Sequence, residues 1–588
     1  MHLQTFLPGK DAPLEETIKI ATELLDRIGF STEPTGWINP APGCWSVHIR
    51  SKECRHLYTN GKGTSQQAAL ASGLGEFIER LSTNFFFSDF FLEDHNTAKN
   101  HFLFYPDEKW FSSEKGDHIP RHSQDGAELL NSHLLNFYDP EKELQFNNLC
   151  DHNSDDKERG ICSLPFTHIN SQKTVYFPVN ILDNLYVSNG MAAGNSKDEC
   201  HSQALSEIVE RYVKNQVISK GISLPGVPNS VLKKYPRIWA ILTEFKKHDI
   251  AIQVKDCSLG GKFPVICVLL AHRPTGGSFA AFGANFRFET AIERTLTELL
   301  QGRQIKQLNS FHPPVHETAF AADSLNLESH FINSDGLLSW DMFKTVPDYL
   351  FTPWNFSGTS QRECHLLREL INNCGYQIYT ADYNHCGMPA CRIIVPGMSE
   401  IYPVDDLIWN NKNSGSSIRS QLLRLPQMNR VELEYFLNIL EELNRGEQHL
   451  ISDLTGVLFD TDSAWHTLSV GELKALILLA LGHGDDALVW CSWCHDHGNL
   501  PQHRRKLFRL LVTLLNFNKP GINFSDYREG LGLYYGEEDI SEAQAVISGN
   551  INFPGLMFAD SWLEISREHD NLVKLYRELD EVKRKTTT

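Results

Sequence analysis

The chain has 588 residues, of which 41% are hydrophobic and 22% charged, the proportions of a folded globular protein. A formal net charge of −19 argues against a nucleic-acid backbone or an anionic membrane as main partner, since both call for a clustered basic face. At roughly 150 residues per domain the length predicts about three or four units.

The first ten residues hold no basic segment followed by an apolar core, so no secretory signal is expected and the predicted location is cytoplasmic. The 13 cysteines, scattered and odd in number, then read as reduced thiols. The longest apolar runs, Val265 to Ala271 and Leu476 to Leu481, are far short of a membrane span.

A helix is expected from Leu14 to Ile28 and a strand from Cys44 to Arg50, so residues 1–60 are predicted to pack on the domain that follows. That domain opens with Asn60-Gly-Lys-Gly63, continues through Ala71-Ser72-Gly-Leu-Gly, and reaches Glu76-Phe-Ile-Glu79-Arg80. A degenerate copy follows: Asn189-Gly-Met-Ala-Ala-Gly-Asn195, Gln203, and Glu207-Ile-Val-Glu210-Arg211. A third is Phe282-Gly-Ala-Asn285 with Glu293-Arg294-Thr-Leu-Thr-Glu298 and Arg303. Glu76 and Glu207 each lie 13 residues after a glycine (Gly63, Gly194), and Glu298 lies 15 after Gly283. Each copy therefore predicts a glycine turn, a helix and an acid about three turns in.

Between the first two copies, the polar stretch from about Asp94 to Cys162 predicts a surface excursion or flap. Thr174 to Ile181, Phe263 to Leu270 and Cys391 to Val395 predict buried strands. Strands and helices mix over 61–425, which predicts a mixed α/β domain. Beyond Pro426, helix patterns take over, and 430–588 predicts an all-α, tetratricopeptide-like domain that offers a groove to a protein partner.

On a helix, Glu76 and Glu79 share a face, as do Glu207 and Glu210, while Leu74, Phe77, Ile78 and Leu81, or Leu205, Ile208 and Val209, form the opposite apolar side. A single such acidic pair is most often a solvated face. Three related helices argue for more: converging glutamates need cations, Mg²⁺ bridging carboxylates to phosphates is the natural one, and Arg211 and Arg294, with Lys10 and Lys62, suit phosphate oxygens. The familiar phosphate loop, kinase and dinucleotide signatures are missing.

At these motifs the chain resembles the YcaO family, over nearly its whole length. The resemblance implies an ATP- and Mg²⁺-dependent domain that activates backbone amides by O-phosphorylation or adenylation, in members that close azoline rings or install thioamides. It implies metal contacts from Glu76, Glu79, Glu207, Glu210 and Glu298, and nucleotide contacts from Lys10, Ser72, Asn195, Gln203, Arg211 and Arg294, with Arg294 and Glu298 at the reaction centre. For stand-alone members it implies an accessory role in β-methylthiolation of an aspartate in a small-subunit ribosomal protein by the radical enzyme RimO. Partners would then be RimO or that ribosomal protein, and relatives suggest a homodimer. Two departures stand out: Ala192 occupies a position where relatives carry serine, and the last residues, Lys583-Arg-Lys-Thr-Thr-Thr588, lack the Pro-x-Pro-x-Pro ending of ring-forming members, which weighs against azoline synthesis. A different class of function, a non-catalytic ATP-binding scaffold, stays open. Cys491-Ser-Trp-Cys494-His495 reads as two thiols on a helix, because no second Cys-x-x-Cys completes a metal tetrad.

Overall fold

The computed structural model describes residues 4–92, 102–113, 118–154, 159–332, 334–517, 521–522 and 524–587. Among the described residues, twelve strands form three sheets. The first is a meander of β1 (Thr32–Ala41), β2 (Cys44–Ser51) and β3 (Tyr58–Gly63). The second, in order β10-β9-β8, uses β8 (Ile250–Asp256), β9 (Val265–His272) and β10 (Ser278–Ala284). The third runs β4-β5-β11-β12-β7, with β6 paired to β5; its strands are β4 (Lys109–Phe111), β5 (Ile161–His168), β6 (Thr174–Pro178), β7 (Met191–Ala193), β11 (Tyr379–Tyr383) and β12 (Ala390–Ile394). All these strand pairs are antiparallel.

Numbering only the longer helices, α1 is Leu14–Arg27, α2 Gln66–Ser82, α3 Lys197–Lys220, α4 Phe288–Leu299 and α5 Ser360–Asn373. In the C-terminal part α6 is Arg430–Glu442, α7 Val470–Leu481, α8 Gly484–His497, α9 Gln502–Phe517, α10 Glu537–Ile547 and α11 Arg567–Thr587. The mixed α/β region is thus followed by a helical one, as expected. Helices α7 to α10 surround one apolar core that includes Leu473, Leu476, Phe508, Leu511 and Ile540. Helix α11 turns back, and its Leu572, Tyr576 and Leu579 pack in the core that also holds Phe77, Phe87 and Phe111. Among the described residues no helix is long and apolar enough to cross a membrane.

The three sequence copies are strand–helix units: β3 feeds α2, β7 feeds α3 and β10 feeds α4. Of the expected glycine turns, Gly190 of the second copy does lie in a turn at positive φ, but the other motif glycines are corrected. Gly61, Gly63 and Gly283 lie within strands, and neither they nor Gly194 adopt positive φ. Their role is close approach: a Cβ on Gly61 would stand 2.0 Å from the Ala69 carbonyl oxygen, and one on Gly283 would stand 2.3 Å from Thr295 Oγ1. Each glycine lets its own helix settle onto the strand. Two of the helices start on polar caps: Ser65 accepts from the Ala68 amide at 3.1 Å and Ser196 from the Glu199 amide at 3.2 Å, while α4 has no side-chain cap and Asn285 accepts from the Arg287 amide at 2.7 Å in the turn before it.

The predicted surface excursion is also corrected. Of it, residues 94–101, 114–117 and 155–158 lie outside the described residues, but Phe104, Phe111, Leu129, Leu134 and Leu149 are core residues. Its polar side chains are buried because they close backbone bonds. Glu108 accepts from the amides of Leu103 and Phe104, both at 2.7 Å, and Asn153 donates to the carbonyls of Phe87 (2.8 Å) and Phe90 (2.7 Å). Average polarity conceals this, since a buried polar group with partners costs little.

Candidate active site

The helical period explains how the site is built. On α3 the residues Glu199, Gln203, Glu207, Glu210 and Lys214 recur every three or four positions and form one stripe about four turns long, roughly 20 Å. Ser72, Glu76 and Glu79 form the matching stripe on α2, and Arg294 and Glu298 that on α4. The opposite faces are apolar: Leu74, Phe77, Ile78 and Leu81, or Leu205, Ile208 and Val209, are buried. Burying those faces turns the polar stripes toward one another.

Cross-links between the units follow. Lys62 of β3 pairs with Glu298 of α4. Arg294 of α4 donates to Gln203 of α3 at 2.7 Å. The Ala284 amide, at the end of β10, donates to Glu210 of α3 at 3.0 Å. Within units, Arg80 meets Glu76 at 3.0 Å and Glu79 at 3.5 Å, and Arg211 meets Glu207 at 2.9 Å. At the first turn of α3, Glu199 takes the Lys10 ammonium at 2.9 Å, the Asp11 amide at 3.0 Å and Asn195 Nδ2 at 3.0 Å. The structure thus gathers Glu76, Glu79, Glu207, Glu210 and Glu298 with Lys62, Gln203, Arg211 and Arg294, and places Lys10 and Asn195 at one end of the same stripe. Ser72 is exposed one turn before Glu76, with no side-chain hydrogen bond among the described residues.

Burial drives the Glu79 carboxyl up to about 8, with Arg80 opposing the rise and Glu76 and Glu207 adding to it. Burial likewise lowers the Lys62 ammonium to about 8 against the pull of Glu210, and brings Lys214 down to about 7 with help from Arg211. A site that holds a carboxylate and an ammonium both near neutrality is poised to exchange charge with a ligand.

Among the described residues no three His, Cys, Asp or Glu side chains form a ready metal cage. The cause is visible, because Glu76, Glu79, Glu207 and Glu298 are each turned to an Arg or Lys. The donor chemistry still fits a hard cation: five carboxylates share one locus, and burial makes Glu79, with 14% of its side-chain surface exposed, resist ionisation even beside Arg80. Glu199 was missed by the sequence reading, although its spacing to Gln203 extends the stripe. Arg80, which bridges two acids of its own helix, was noticed only as part of a motif. Cys491 and Cys494 are buried on α8, and burial pushes the Cys491 thiol up to about 12.

Comparison with known proteins identifies the family. The YcaO family model, described as an ATP- and Mg²⁺-binding cyclodehydratase domain, matches residues 60–399, and the YcaO C-terminal domain matches 415–585. The chain is 44% identical, over 99% of both chains, to the ribosomal protein S12 methylthiotransferase accessory factor YcaO of Escherichia coli. It is 42% identical, over 99% of both, to an uncharacterized protein of Haemophilus influenzae. Among solved structures it is similar to YcaO from Methanopyrus kandleri bound with AMPPCP and Mg²⁺, at 17% identity and a TM-score of 0.38, covering 68% of this chain and 93% of the other. By the extent of the family match and by identity along its whole length, the chain belongs to the YcaO family, whose cofactors are ATP and Mg²⁺.

Proposed function

We propose that the protein hydrolyses ATP at the carboxylate stripe as an amide-activating enzyme, and so assists RimO-mediated β-methylthiolation of an aspartate in a small-subunit ribosomal protein. The observation that carries this reading is the meeting of three strand–helix units at one locus, each bringing acid and base. Mg²⁺, when bound, supplies the positive charge that developing phosphoryl oxygens require. Glu76, Glu79, Glu207, Glu210 and Glu298 would hold it. In doing so, Glu76, Glu79, Glu207 and Glu298 would release Arg80, Arg211 and Lys62. Those cations, with Arg294 beside Gln203 and Lys10 beside Asn195, would then hold phosphate oxygens, and Ser72 lies at the open end of the α2 stripe. Arg294 and Glu298, one turn apart on α4, stand at the reaction centre in this reading.

The helical region, read as tetratricopeptide-like, serves as the protein-binding module, and the enzyme works in the cytoplasm as a homodimer. A scaffold that merely binds ATP would show no response to substrate, which separates the two classes. The test is ATP turnover with product analysis, with and without the ribosomal protein. Stimulated, stoichiometric consumption in the wild type and its loss in Glu207→Gln support the reading. Unchanged turnover in both Glu79→Gln and Glu207→Gln refutes it.

A further inference from the structure

The largest sheet is interrupted along one edge of β5. On that edge β4 pairs with Ile161 to Ser163, and β11 pairs with Thr167 and His168, so no described strand faces Leu164, Pro165 and Phe166 there. The other edge is taken by β6. The Ile169 amide donates to the Ile378 carbonyl at 2.9 Å. Because bonded pairs alternate in an antiparallel ladder, the next ones on this edge are Thr167 with Thr380 and then Pro165 with Asp382. Proline has no N–H to give. The ladder stops there, β11 diverges, and by the same alternation the main-chain amide and carbonyl of Asp382 face the gap.

The gap opens into a cavity of about 680 Å³, with Pro165 and Thr167 on one wall, Asp382 and Tyr383 on the other, and Asp107 and Lys583 also lining it. We propose that this cavity takes an extended polypeptide segment as an added strand against Asp382, and that the segment carries a basic side chain. A peptide backbone supplies the alternating donors and acceptors that an interrupted ladder leaves unmet, the usual logic of strand addition. The volume suits a few residues rather than a whole domain. The charge preference comes from Asp107, which is exposed and has no Lys or Arg within ion-pair distance among the described residues. Lys583 does not pair with it: the side chain is buried and its ammonium is directed to Asn84 Oδ1 at 2.6 Å and the Phe104 carbonyl at 2.7 Å.

Position links the cavity to the candidate active site. The Asp382 carboxylate accepts from Lys197 at 2.7 Å and from His201 at 2.6 Å, both in the first turns of α3, the helix whose Glu199 holds Lys10. That the segment is the amide-bearing substrate rests on the ATP reading; that it binds here does not.

The test uses the full-length protein without nucleotide and fluorescein-labelled peptides of about ten residues, followed by anisotropy. The probes are an alternating Lys/Thr peptide, its Glu/Thr counterpart, and the Lys/Thr peptide N-methylated throughout. The Lys/Thr peptide should bind at least about tenfold more tightly than either other peptide. Asp107→Lys should invert the charge preference, Thr167→Trp should abolish binding by filling the gap, and amide exchange at Asp382 should slow with bound peptide. Equal binding of the N-methylated peptide, binding of none, or an unchanged preference in the exposed Asp107→Lys variant would overturn the proposal. Basal ATP consumption should match wild type in both variants. If the wild type consumes no ATP yet the peptide preference holds, the nucleotide reading fails and this one stands.

Discussion

Burial of Glu79 indicates what the carboxylate stripe costs the fold. The Glu79 carboxyl rises from 4.5 to about 8, chiefly by burial. At 1.36 kcal/mol per pKa unit, the native state is penalised by about 5 kcal/mol above pH 8 and by about 3 kcal/mol at pH 7. The sign follows from proton binding: the folded protein keeps a proton that the unfolded chain gives up, so the penalty is complete above pH 8, shrinks as pH falls, and vanishes below 4.5. Glu79→Gln removes the ionisation, while Arg80 keeps Glu76 at 3.0 Å. The variant should therefore be more stable than wild type, by little at pH 5, about 3 kcal/mol at pH 7 and about 5 kcal/mol at pH 9. Amide exchange along α2, read by mass spectrometry in EDTA, gives this local opening free energy without requiring the whole chain to unfold in one step. Adding Mg²⁺ and ATP should then protect α2 in the wild type and leave the variant unchanged. A difference independent of pH, or a variant less stable throughout, would refute the reasoning.

Three other outcomes are expected. Gly61→Ala should destabilise the fold by at least about 1–3 kcal/mol, because the added methyl meets the Ala69 carbonyl at 2.0 Å, and thermal unfolding would register the loss. Lys583→Met should be most favourable relative to wild type near pH 6, since burial lowers the Lys583 ammonium to about 7; its advantage should shrink as pH rises through 7, as paired melting curves from pH 6 to 9.5 would show. Cys491→Ser should leave the metal content of the purified protein unchanged, which elemental analysis can check, because the thiol is buried in an apolar helix core and among the described residues no group of three His, Cys, Asp or Glu side chains surrounds it.

Much of this protein is legible from local pattern. The period of apolar residues located α2 and α3, the acids at related offsets identified the three copies, and short β-branched runs marked β6, β9 and β12. These signals are local, so a linear string carries them. The meaning of the glycines was misjudged because a turn glycine and a close-packing glycine look alike in sequence, and only the 2.0 Å approach to Ala69 tells them apart. The 94–162 stretch was misjudged because composition counts Glu108, Asp151 and Asn153 as polar without knowing that backbone amides and carbonyls await them.

By itself the sequence determined the amphipathic period of each helix and the charge on its polar face, because both depend on residues within a few turns of one another. Only the tertiary structure decided that Lys62 meets Glu298, that Arg294 meets Gln203, and that Thr167 of β5 pairs with Thr380 of β11. Those pairings join residues far apart in the chain. Their partners are chosen by which apolar faces bury together, and that choice belongs to the folded whole.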